Sequence, residues 1–385
     1  MSLRLGSFVL FGFYALLGFV DAAFGVAWNG FLTRFHLAPA SLAYALLFGT
    51  LAALPLLWFG GQALARWPKR PPLIAVALTV VAVVWSLILT PGAATFLISV
   101  AALLIVTAAL DAAASGAALD LEARSGVRLL GKVQSGFAVG AVSGAALSGF
   151  LVGNGNLVLL GVIILAWVTL LLLGLWRMRI PTPAANLEGE EAQLPRARAS
   201  TLALIGAAAV IAYYAEGMML SWSGVFLQRD LGLSAHLSGL LSSGYYVAFG
   251  VGALLSSTLL TRLGARRSMR LLSLVAAIGG LMLVSAAHIL VAAAGMLLLG
   301  AAVAGLMPTL LSWAANLGLG AGAAGFVSTF AYLGMVLEPV TVSLGGESLR
   351  PALMSLPALL LLMGALTYWR PAGQSRSATV AGAWD

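Results

Sequence analysis

Four carboxyl-bearing residues stand inside long apolar stretches of this 385-residue chain: Asp21, Asp111, Glu216 and Glu338. A charged acid at bilayer depth costs about 2.5–3.5 kcal/mol on insertion scales, so such residues usually mark a proton or ion pathway. No Lys or Arg falls at comparable depth, and His36, His236 and His288 fall at the ends of the stretches. No internal ion pair is therefore offered to hold these acids ionised. Low dielectric favours the neutral carboxylic acid, which gives up its proton when water or a cation reaches it. That is the behaviour of a proton-coupling site, and one carboxyl reachable from alternate sides suffices for it. Four exceed the need, so some are structural or bind a solute. Glu338 precedes Pro339, where support of a kinked helix is the alternative to coupling.

The elements that must hold these acids are membrane helices. Asp21 lies near the middle of SFVLFGFYALLGFVDAAFGVAWNGF, from Ser7 to Phe31, and about 20 apolar residues cross a bilayer as a helix. The composition agrees: 61% hydrophobic, 8% charged, mean hydropathy +1.04. Twelve spans are predicted, at 6–30, 40–62, 72–90, 94–118, 131–152, 156–176, 201–226, 236–260, 270–287, 289–312, 322–345 and 351–369. A polar, proline-bearing segment, 177–200, divides them into two sets of six. The reading is an all-α polytopic membrane protein with an N-terminal six-helix bundle over 1–176, a cytoplasmic linker over 177–200, and a C-terminal bundle with a short tail over 201–385. Arg4 ahead of the first apolar run imitates a signal peptide, but the run is too long and contains Asp21, so it reads as an uncleaved span.

The net charge of +8 does not indicate nucleic acid, because the basic residues occupy short connections between spans and report topology instead. With the N-terminus inside, one side collects nearly all of them and the other keeps only Arg34, Arg229 and Arg350, which predicts cytoplasmic termini. Arg far outnumbers Lys, and Ala, Gly and Leu abound, which suits a GC-rich bacterial genome and an inner-membrane location. The absence of cysteine excludes disulfides, thiol catalysis and cysteine metal sites. No H-E-x-x-H and no G-x-x-x-x-G-K-[ST] phosphate loop occurs, so no enzyme, metal site or cofactor is predicted.

An internal repeat relates the two sets. The connection GQALARWPKR, from Gly61 to Arg70, corresponds to STLLTRLGAR, from Ser257 to Arg266, and the same register lays Asp21 within one residue of Glu216. Parallel repeats of six helices place their solute site at the midplane between them. At these residues the chain resembles the major facilitator superfamily, whose signature after the second span is G-x-x-x-D-R-x-G-R-R. Gly61, Arg66, Lys69 and Arg70 fit it, as do Arg262, Gly264 and Arg266 in the second half. Ala65 and Thr261 replace the acid and Pro68 a glycine. The resemblance implies alternating access, with Arg66, Arg70, Arg262 and Arg266 at a cytoplasmic gate. Asp120, Glu122 and Arg124 read as a solvated gate network at the same end.

The run from Leu110 to Gly140 is further similar to fucose:proton symporters and related bacterial permeases. Asp21, Asp111 and Gln134 match that branch, while Ser115 stands where it carries Asn. AEGMMLSW, from Ala215 to Trp222, also looks like permeases of that branch. The resemblance implies proton coupling through Asp21 and Asp111.

Helical spacing puts Tyr14, Phe24, Gly25 and Trp28 on the Asp21 face, and Tyr213, Leu220 and Ser223 on the Glu216 face. Aromatic rings there, with Tyr245 and Tyr246, either stack on a solute or serve as packing and interface anchors. Asn29 and Gln134 are the neutral hydrogen-bonding candidates, although Asn29 also suits the outer end of its helix. Gly136, Gly140, Gly144 and Gly149 form a small-residue stripe, with Gly250 and Gly252 as symmetry-related candidates, for close packing or for sliding. The expectation is a monomeric secondary transporter in which a proton accompanies a small polar solute, such as a sugar, into the cell. A proton-coupled exporter of organic cations or drugs is the alternative, and a non-transporting receptor or lipid-handling protein the third.

Overall fold

The computed structural model describes residues 3–65, 70–127, 129–177, 199–316 and 323–369. Arg66, most of the expected linker and the expected tail after residue 369 lie outside the described residues. Every regular element among the described residues is a helix: α1 Leu3–Arg34, α2 Pro39–Ala65, α3 Arg70–Ile88, α4 Ala93–Ser125, α5 Leu130–Gln134, α6 Gly136–Gly153, α7 Leu157–Arg177, α8 Ala199–Arg229, α9 Ala235–Val284, α10 Ile289–Ala314, α11 Ala323–Leu344 and α12 Arg350–Leu366. Hydrocarbon supplies no partner for backbone N–H and C=O groups, and a helix pairs them within itself.

Nine of the described helices are long and apolar enough to cross a membrane, and shorter apolar helices run over Pro39–Pro55 and Arg350–Leu366. The arrangement is consistent with twelve passages. α5 and α6 make one passage with a jog at Ser135, while the 50-residue α9 makes two, turning at Gly264 (φ 74°, ψ 161°). That backbone conformation is essentially open only to glycine. Ser268 donates to the Leu259 carbonyl across the bend at 3.1 Å. α4 runs past its expected end to Ser125, and the Glu122 carboxylate accepts from Leu129 N–H (2.8 Å) and Leu130 N–H (3.1 Å). Glu122 thus satisfies orphan donors at the start of α5.

Two bundles form. In the first, α1 packs on α6 and α2 on α4; in the second, α8 packs on α11 and α9 folds back along α10. α1 meets α8, α6 meets α9 and α2 meets α11 across the divide. Glycine sets the distances. A Cβ at Gly140 would strike the backbone of Ala15, and one at Gly144 that of Phe19, so α6 lies against α1 at backbone contact. Gly149 instead crosses to Gly239 of α9 in the other bundle. Gly252 abuts Ala301 within its own bundle, whereas a Cβ at Gly250 would meet only Ala138 at 3.9 Å.

Each bundle also ties its last helix down with an arginine. Arg70 Nη2, at the start of α3, donates to the Trp176 carbonyl near the end of α7 (3.3 Å). Arg270, beyond the bend of α9, donates to Thr367 Oγ1 (2.7 Å) and to the Thr367 carbonyl (3.2 Å), with its guanidinium 3.7 Å from the Tyr368 ring centroid. A cation at a helix C-terminus satisfies carbonyls that lack intrahelical donors. Arg70, expected at the gate, is therefore engaged inside its own bundle. Arg262 is exposed and Arg266 partly so, on either side of the bend.

Overpacking a filled interior costs about 1–3 kcal/mol. Gly140→Val is therefore expected to lower the thermal unfolding midpoint of the detergent-purified protein clearly, while Gly250→Ala leaves it unchanged; equal midpoints would break the link between glycine and helix spacing.

Candidate functional site

Seven helices of the two bundles line a cavity of about 370 Å³. α1 presents Tyr14, Leu17, Asp21, Phe24 and Trp28, positions three or four apart and hence on one face. α8 presents Tyr213, Glu216, Leu220 and Ser221 from the other bundle. α4 adds Leu103, Leu104, Thr107, Ala108 and Asp111; α2 adds Leu46, Thr50 and Ala53; α11 adds Tyr332 and Met335. Gln134 and Phe137 complete the wall where α5 passes into α6.

Three of the four membrane-depth acids thus share one cavity, drawn from both bundles, and among the described lining residues there is no Lys, Arg or His. On the first bundle's side the polar groups form a connected set. Tyr14 and Ser115 share a hydrogen bond through their hydroxyls, and Ser115 donates to Asp111 Oδ1 at 3.3 Å. Asp111 and Gln134 also hydrogen-bond Tyr14. Ser115, the departure from the branch pattern, therefore supports the acid one helical turn before it. Thr107, also in the wall, donates its hydroxyl to the Leu104 carbonyl of its own helix (3.2 Å).

The cavity is closed at the end where α1 finishes. A Cβ on Gly25 would meet the Leu220 carbonyl at 2.5 Å, and one on Gly224 would meet the Gly25 backbone. Gln228 Nε2 donates across the divide to the Val26 carbonyl (2.8 Å), and Ser243 donates to the Val142 carbonyl (2.9 Å). Beneath them lies an aromatic cluster in which Phe24 and Trp28 stand 5.3 Å apart and Trp28 meets Phe96 edge-on at 6.0 Å.

Glu338 is not in the cavity wall. It is 4% exposed and faces inward within the second bundle, where Trp222 Nε1 donates to its Oε1 at 2.7 Å and Ser221 hydrogen-bonds it as well. Its other carboxyl oxygen occupies the space that a Cβ on Gly217 would take. Tyr245 and Tyr246 are buried behind the wall, their rings edge-on at 5.1 Å, with Tyr246 within electrostatic reach of Asp21 and Glu216. Asn29 belongs to a separate polar recess at the closed end, with Thr33, His36, Arg229 and Glu347. Ser223 is buried away from the lining. Tyr332, Thr50 and Ser221 line the cavity without having been singled out from the sequence. Tyr332 shares its span with Glu338, but six residues apart the two fall on different faces.

A charged or charge-assisted buried hydrogen bond is worth about 1.5–3 kcal/mol, and its loss leaves the carboxyl short of a donor. Trp222→Phe is expected to lower the thermal unfolding midpoint in detergent; a midpoint equal to wild type would show that the indole N–H carries nothing.

Comparison with known proteins agrees with this architecture. Residues 10–339 match the Major Facilitator Superfamily model. An uncharacterised transporter of Sinorhizobium fredii, y4wD, is 28% identical over 331 residues, which is 82% of this chain and 84% of that protein. The solved nucleoside transporter NupG superposes with a TM-score of 0.71 at 13% identity, covering 96% of this chain and 97% of that one. A D-xylose-proton symporter gives 0.70 at 15%, covering 95% and 98%. At such identities the structural likeness speaks for the fold, and the family match covers most of the sequence. This chain is a multi-pass membrane transporter belonging to the Major Facilitator Superfamily.

Proposed function

We propose that the protein is a proton-coupled transporter working by alternating access, with protons and an organic cation binding in turn to Asp21, Asp111 and Glu216. The observation that carries this reading is the cavity itself: three carboxyl groups, aromatic rings and no described basic side chain in the wall. A cation entering such a space finds carboxylates to pair with and the faces of Tyr14, Trp28, Tyr213 and Tyr332 to lie against. Because cation and proton compete for the same carboxyls, occupancy by one expels the other. Exchange across the membrane follows from that competition once the cavity opens alternately to each side.

The closed end holds Arg34, Arg229 and Arg350, the sparse side of the charge distribution, so the positive-inside asymmetry sets it outward in a bacterial inner membrane. Asp111 is held by Ser115 and sits beside Tyr14 and Gln134, while Asp21 and Glu216 line the same cavity from the symmetry-related helices α1 and α8. Glu338, turned into its own bundle, supports α8 and Trp222 in place of carrying a proton.

Uptake of a small neutral solute with a proton, the sugar-like case, is the second reading. Gln134, an amide exposed beside Tyr14, favours it. Against it, Thr107 and Ser115 already donate their hydroxyl protons to the Leu104 carbonyl and to Asp111.

Acid-loaded proteoliposomes distinguish the two. Addition of tetramethylammonium or tetraphenylphosphonium outside is expected to release protons from the vesicles in a protonophore-sensitive way. Glu216→Gln and Asp21→Asn should each weaken the response about 10-fold or more, the worth of one charge-assisted contact. External alkalinisation on adding D-xylose, with no response to cations, would establish the second reading and overturn the first.

A further inference from the structure

A second cavity, of about 420 Å³, lies between α2 and α11, lined by Leu51, Leu54, Pro55, Thr329, Phe330, Tyr332 and Leu333. It is built from the other side of the same two helices. Thr50 and Ala53 of α2 face the central cavity while Leu51 and Leu54 face this one, and Tyr332 of α11 borders both. Tyr332 is therefore common to both walls. Pro55 cannot donate to the Leu51 carbonyl, which loosens α2 at this level. Leu51 and Leu333 at the rim are 43% and 49% exposed on the bundle surface, where a membrane protein meets lipid.

We infer that this side cavity takes the apolar arm of the transported solute, which is an amphipathic organic cation with its charged head among the central carboxyls. The inference rests on the organic-cation reading of the central site. Its grounds are continuity and complementarity. The wall shared by the two cavities is the ring of Tyr332, within electrostatic reach of Asp111, so a cation beside Asp111 has its arm directed across an aromatic face. Beyond that ring the lining is almost wholly apolar, with Leu51 and Leu333 exposed on the bundle surface. An alkyl chain there leaves water completely, and each buried methylene strengthens binding about fourfold. The occupant is the solute's own arm; an acyl chain of the surrounding bilayer is the competing source of the same chemistry.

The test uses proton release from acid-loaded proteoliposomes, driven by tetramethylammonium and by alkyltrimethylammonium ions of increasing chain length. The wild type is compared with Leu54→Trp and, from the facing helix, Leu333→Trp. Each protein's tetramethylammonium response is its own reference, and bilayer partitioning of the long-chain ions is common to all three. The wild type is expected to gain at least about 10-fold more in half-maximal concentration along the series than either filled variant, the worth of two buried methylenes. The same chain-length gain in all three proteins would mean partitioning or lipid occupancy alone and would overturn the inference. No response of the wild type to tetramethylammonium would instead sink the organic-cation reading of the central site. Two variants on opposite walls guard against one that does not fold.

Discussion

A carboxyl group at the depth of a bilayer can be tolerated only if protein, water or a proton attends to it. Four such groups govern this molecule. Three of them answer the constraint in one way, by converging on a shared cavity between the bundles, and the fourth in another, by turning into a bundle where an indole N–H and a hydroxyl meet it. The helices are then arranged so that both solutions exist together. α8 shows this most directly: Glu216 faces the cavity, while its neighbour Gly217 leaves room for the Glu338 carboxyl behind.

Closing one end of such a cavity needs helices that meet without side chains between them. Gly25 against Leu220 and Gly224, and Gly149 against Gly239, bring the two bundles to backbone distance. In hydrocarbon, where apolar burial offers no gain of one helix over lipid, this close packing and a few interhelical hydrogen bonds are what hold helices together. Gln228 and Ser243 supply such bonds across the divide. Contacts of this kind carry little area, which suits the alternating access proposed above. The contacts inside a bundle, such as Gly140 on Ala15 and the Arg70 and Arg270 caps, have no such need to part.

The two halves are related in sequence but differ in the chemistry around their acids. Asp21 and Glu216 remain near-equivalent on α1 and α8. Around them the halves differ: Asp111 with Ser115, Tyr14 and Gln134 on one side, and Tyr213, Ser221 and Tyr332 on the other. The second half turns its extra acid, Glu338, inward onto Trp222 and Ser221. An asymmetric pair of walls permits a solute with two unlike ends.

Much of this was legible from residues alone. Length and apolar runs determine the helices, because a bilayer permits little else, and the repeat of Gly61–Arg70 at Ser257–Arg266 relates the halves. Spacing along single helices puts Tyr14, Asp21 and Trp28 on one face of α1 and Tyr213 and Glu216 on one face of α8. The remainder was not legible, since spacing says which residues share a face and never what that face meets. Asn29 and Gln134 look alike in sequence, yet one sits in a recess at the closed end and the other in the wall. Tyr245 and Tyr246 lie behind it, and Arg70 caps α7 where a gate was expected. The sequence by itself determined a membrane helix bundle with carboxyls at depth; only tertiary structure decided which carboxyls meet. Rotation of each helix about its axis is set by its neighbours, through contacts as small as Glu338 on Gly217, and no single span contains that information.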